Sequence, residues 1–62
     1  MPYVIVRHNQ HFGPNFYVGG SRTSPEYPDA IKYQSRKAAT DALKALRTRS
    51  AMFSKHEVER YA

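Results

Sequence analysis

The stretch Tyr3-Val4-Ile5-Val6-Arg7 decides the architecture of this chain. Apolar and β-branched residues at successive positions mark a strand covered on both faces through its middle. Such a strand belongs at the centre of a sheet. Downstream, His8 to Asn15 carries Asn9, Gln10, Gly13, Pro14 and Asn15, a turn-rich connection of hairpin length. Phe16-Tyr17-Val18 then reads as a second short strand, ended by Gly19-Gly20. The two are expected to pair as an antiparallel hairpin with a loose loop.

Residues 19–29 are rich in Gly, Ser, Thr, Pro and charge, and Pro25 and Pro28 block both helix and interior strand. A surface loop is expected there, with Tyr27 the aromatic most exposed on it. Ala30-Ile31-Lys32-Tyr33-Gln34 is either a third short strand or an extended lead-in to a helix. Ser35 is a good N-cap for a helix over residues 36 to about 48. The stripe Ala39, Ala42, Leu43 and Leu46, widened by Ala38 and Ala45, is its buried side. Glu57-Val58-Glu59-Arg60-Tyr61 alternates weakly and returns as a last strand.

The order β-β-(β)-α-β makes this an α+β fold: a small antiparallel sheet of three to four strands with one helix on one face, in a single domain over residues 1–62. The opposite face is then open to a partner or covered by aromatics such as Tyr3, Tyr17 and Tyr33. A chain of 62 residues buries only about 60% of the surface its unfolded form exposes. That leaves little room for a deep pocket with supporting residues around it, as catalysis and small-molecule substrates require. Cysteine is absent, so neither disulfides nor thiolate metal sites hold the fold. No run approaches the roughly 18 apolar residues of a membrane span. The apolar start Met1 to Val6 lacks a basic leader, and the expected setting is cytoplasmic.

The formal net charge of +5 is unevenly spread. Residues 1–31 set Arg7 and Arg22 against Glu26 and Asp29. Residues 32–55 hold Lys32, Arg36, Lys37, Lys44, Arg47, Arg49 and Lys55 against Asp41 alone. At about 100° per residue, Arg36, Lys37, Lys44 and Arg47 gather on one side of the helix around Thr40. Two of these cations stand in the first helical turn, where the macrodipole disfavours positive charge by about 0.3–1 kcal/mol each. A position that breaks a local rule is a pointer to function. The candidate binding residues are therefore Lys32, Arg36, Lys37, Lys44, Arg47 and Arg49, joined by Arg22 and by Tyr27 as an interface aromatic. The many aromatics, Phe12 and Phe16 among them, are either base-stacking groups beside the cations or core.

Other chemistry finds little support. His8 and His11 form an H-x-x-H with His56 far away in sequence, but the spacing on a strand-to-loop segment does not converge them, and no metal or cofactor is expected. The carboxylates are scattered, and Gly19-Gly20-Ser21 leads into a Pro-rich loop instead of the helix that a phosphate-binding turn needs. The expected protein is not an enzyme.

The line from Asp29 to Ala39, set after an aromatic hairpin and before a closing acidic strand, resembles a pattern common among very small phage and mobile-element accessory proteins. That resemblance implies docking on a host macromolecular complex in the host cytoplasm, to modulate or inhibit it. Up to the helix, the order of elements is also similar to the arm-binding domains of phage integrases, whose three-stranded sheet enters the DNA major groove. Here the cations lie on the helix, and the closing strand is additional. Three partners follow as expectations: an acidic patch on a host protein complex, with loop 19–29 and Tyr27 supplying shape; DNA or RNA bound directly by the basic helix; or a second copy paired through a sheet edge.

Overall fold

The computed structural model describes residues 2–61. Four strands, β1 (Tyr3–Asn9), β2 (Gly13–Gly19), β3 (Arg22–Ser24) and β4 (Glu57–Arg60), form one antiparallel sheet in the order β3-β2-β1-β4. One helix, α1 (Arg36–Arg49), packs on it, giving an α+β fold. As the apolar run requires, β1 is central, and Val4, Ile5 and Val6 are all buried.

The hairpin is tighter than a loose loop. β1 and β2 stay paired to Asn9↔Gly13, leaving only Gln10, His11 and Phe12 to make the turn. Gly13 closes it at φ 73°, a conformation costly for any residue with a Cβ. The region read as a surface loop also holds more order than expected. Arg22–Ser24 returns as β3, a short edge strand, and Tyr27–Asp29 forms a 3₁₀ turn with Pro28 inside it. Pro25 and Pro28 do exclude a long helix and an interior strand; an edge strand ending before Pro25 breaks neither rule. Ala30–Gln34 is the extended lead-in, touching the sheet through the isolated bridge Tyr3↔Tyr33.

The Ser35 hydroxyl accepts from the Ala38 N–H at 3.1 Å, capping α1 as expected. Ser50 ends the helix and starts the next turn. Its N–H donates to the Leu46 carbonyl, and its hydroxyl accepts from the Met52 N–H at 3.2 Å to begin the 3₁₀ turn Ala51–Phe53.

Strand alternation divides the core between two faces. Beneath the helix, Ile5 and Tyr17 meet Leu43, Leu46 and Phe53. On the other face Val4, Val6 and Phe16 pack with Ala30, Tyr27 and Tyr61. The second face is indeed covered by aromatics, but not by those expected: Tyr17 and Tyr33 lie on the helix side. Its cover is Phe16, with Tyr27 at 5.7 Å and Tyr61 at 5.4 Å, both edge-to-face, and Tyr27 stacked on Tyr61 at 4.8 Å. Such ring pairs contribute about 0.5–1.5 kcal/mol each beyond the area they bury. Tyr27 is thus half-buried core, not an exposed loop anchor. The 3₁₀ turn delivers it there, a placement that composition does not reveal.

Candidate polyanion-binding surface

The eight candidate residues divide into structural and free groups. Lys32 is structural. Its ammonium donates to the carbonyls of Pro28 and Ala30 at 3.0 Å and of Tyr27 at 3.4 Å, and lies 4.9 Å from the Tyr27 ring centroid. It fastens the 3₁₀ turn that carries the aromatic cover. Arg47 is structural as well. Its Nη2 donates to the His56 carbonyl at 2.6 Å and its Nε to the Phe53 carbonyl at 3.4 Å, tying α1 to the segment that enters β4. In both cases a cation adds a charged donor to carbonyls in and just after a short 3₁₀ turn, two of which, Tyr27 and Phe53, also accept backbone N–H groups.

The two first-turn cations also have local partners. The Arg36 guanidinium stands 5.3 Å from the Tyr3 ring centroid, and Lys37 pairs with Asp41 at 3.3 Å across one turn. The Lys37–Asp41 pair is largely solvent-exposed and weak, within about 1 kcal/mol. These contacts offset part of the macrodipole conflict. Lys44 and Arg49 are exposed and, among the described residues, make no side-chain hydrogen bond or ion pair; Lys55 beyond the helix is the same. Arg22 lies apart, on edge strand β3, lining an open groove with Val18, Thr23, Ser24 and Asp29.

The acidic residues are placed just as unevenly. Glu57 pairs across from Val6 and Glu59 from Val4, so both project from the aromatic face. Glu26 precedes and Asp29 ends the 3₁₀ turn whose Tyr27 packs on that face. Only Asp41 shares the helix layer with the cations. The result is a two-sided molecule, basic over the helix and acidic over the aromatic cover, which segment counting could not show.

The histidines do not converge. His8 lies on the aromatic face, where its Nε2 bonds to the Glu59 carboxylate, and His11 is exposed in the turn. His56 is only 2% exposed beneath the helix layer, packed on Phe53 at 5.1 Å, and neither ring nitrogen has a hydrogen-bond partner. Burial holds its pKa below the ordinary value of 6.5, the Arg7 and Arg47 charges push the same way, and a weak opposing pull from the Met52 backbone does not offset them. His56 is therefore a neutral core residue. Burial, helped by Tyr17, likewise raises Tyr33, and burial with Glu59 and Tyr27 raises Tyr61.

One exposed aromatic was not singled out from the sequence as a site residue. Phe12, at the turn between β1 and β2, is 85% exposed. The available signal was an aromatic amid Asn, Gln and Gly at a hairpin apex, where no element can cover it. Compared with protein-family models, curated proteins and solved structures, the chain matches none. No described helix is long and apolar enough to cross a membrane.

Proposed function

We propose that this chain is a small non-catalytic binding protein whose helix layer engages nucleic acid, with little dependence on sequence, in a cytoplasmic setting. The supporting observation is the uncommitted cations Lys44, Arg49 and Lys55, with the weakly paired Lys37, set on the side away from four of the five carboxylates. Phosphates need only such spaced, solvated cations, and the counterions released on contact drive association. Docking on an acidic patch of a host complex, the phage-type role, would use the same cations. Its shape element was Tyr27, which is packed against Phe16 and Tyr61. Self-pairing through β4 would lay Glu57 against Glu59 of the second copy, or Glu59 against itself, and like charges directly opposite repel.

A salt series tests the proposal. With about four phosphates contacted, affinity for a generic single strand should fall about 50-fold between about 50 and about 200 mM salt. Absence of oligonucleotide binding at the lower salt, together with capture of one defined protein from nuclease-treated lysate that is lost on reversing Lys37, Lys44 and Arg49 to Glu, would replace nucleic acid with an acidic protein.

A further inference from the structure

The β1–β2 hairpin does more than join two strands. Pairing of β1 with β4 stops at Val6↔Glu57, whereas pairing with β2 continues through Arg7, His8 and Asn9. The last three pairs therefore form a two-stranded arm beyond the four-stranded body. The arm has a defined end: the Asn9 side-chain amide donates to the Gly13 carbonyl at 3.1 Å, and Gly13 holds its positive φ. On that end stands Phe12, 85% exposed, with His11 also exposed beside it.

A single exposed apolar side chain is ordinary by itself. Its position makes this one informative. α1 begins beside the Tyr3 end of β1, where Arg36 meets Tyr3, and finishes at the Arg7 end, where Arg47 bonds to the His56 carbonyl and both Arg7 and Arg47 bear on the His56 ring. The free cations Arg49 and Lys55 flank this same end. An aromatic ring on a braced arm, at the end of the sheet where α1 finishes, supplies with the cations of that end the two contacts that a nucleic-acid strand offers, base and phosphate.

We infer that Phe12 stacks on an unpaired base of a single-stranded nucleic acid whose phosphates run along Arg49, Lys55 and Lys44. The inference rests on the nucleic-acid reading above and narrows it to single strands, because bases inside a duplex have no free face to offer a ring.

The test uses the full chain and three fluorescently labelled probes: an oligothymidylate of about 20 nucleotides, its duplex with oligoadenylate, and an abasic strand of equal length. Phe12→Ala should weaken oligothymidylate binding at least about 5-fold, the lower end of what one base–aromatic stack contributes. It should leave the duplex and the abasic strand unchanged. Phe12 buries little, so thermal unfolding of the variant should match the wild type. Phe12→Trp introduces the only tryptophan in the chain, and its emission should be quenched by oligothymidylate but not by the abasic strand. Equal binding of wild type and Phe12→Ala to oligothymidylate, with no indole quenching, overturns the inference and leaves the helix surface standing. Failure of the wild type to bind any probe overturns both, and turns Phe12 toward a protein partner.

Discussion

The two faces of the sheet are closed by different means. Under the helix, Ile5 and Tyr17 meet Leu43, Leu46 and Phe53, a mainly aliphatic core roofed by an amphipathic helix with cations outside. Across the sheet, Phe16 is closed over by Tyr27 and Tyr61, rings delivered by a 3₁₀ turn and by the residue after β4, with carboxylates around them. Net charge is therefore a poor guide to which cations are free. Each closure employs a cation, Arg47 on one side and Lys32 on the other, and both are already engaged with backbone carbonyls. What remains for binding is set by position, not by the total of +5.

The comparison breaks first at the ring in each core. Phe53→Ala and Phe16→Ala should each cost about 3–5 kcal/mol, enough to unfold a domain of this size, as followed by circular dichroism against denaturant. A mild effect at Phe16 alone would mean that the aromatic face is a loose cover and not a second core. Next comes the fastening cation. Arg47→Ala should lose about 1–3 kcal/mol by removing the charged donor on the His56 and Phe53 carbonyls, whereas Lys44→Ala should stay within about 0.5 kcal/mol.

A smaller effect, confined to acid, belongs to the helix side. His56 has its pKa lowered on folding, so the unfolded chain binds the proton more readily. Its contribution is therefore fully present above the ordinary histidine value of 6.5 and is lost as pH falls through and below it. The melting temperature should drop from pH 7 to about pH 5, and His56→Leu should flatten that dependence. Unchanged acid sensitivity in the variant would shift the cause to another group. Lys32→Ala should cost about 0.5–1 kcal/mol at its cation–π contact, and loosen the aromatic cover without touching the helix surface.

What was legible in the sequence followed periodicity. The unbroken Val4-Ile5-Val6 run marked the central strand, Ser35 marked the helix start, and the Ala39–Leu43–Leu46 stripe marked its buried side, because each is a local pattern with one physical solution. β3 and the role of Tyr27 were hidden, because Pro25 and Pro28 punctuate the segment without saying which side chains turn back to the sheet. The same limit applied to the candidate site. Helical spacing groups Arg36, Lys37, Lys44 and Arg47, but the carbonyls that occupy Arg47 lie beyond the helix, and those that occupy Lys32 lie in and just after a turn not foreseen. Phe12 and Phe16 read alike in the sequence as stacking groups or core, and only the fold separates the exposed ring from the buried one.

If the proposed nucleic-acid surface is the helix layer by location and not by total charge, one matched pair of variants separates the two. Lys44→Gln with Arg49→Gln, and Ser21→Glu with Arg22→Gln, lower the net charge equally, the first on the helix layer and the second at the β2–β3 edge. Affinity for a labelled oligothymidylate, measured by anisotropy at about 50 mM salt, should fall on the order of 10-fold or more for the first pair and less than about 3-fold for the second. Equal losses would contradict the account, because binding would then follow net charge wherever it sits.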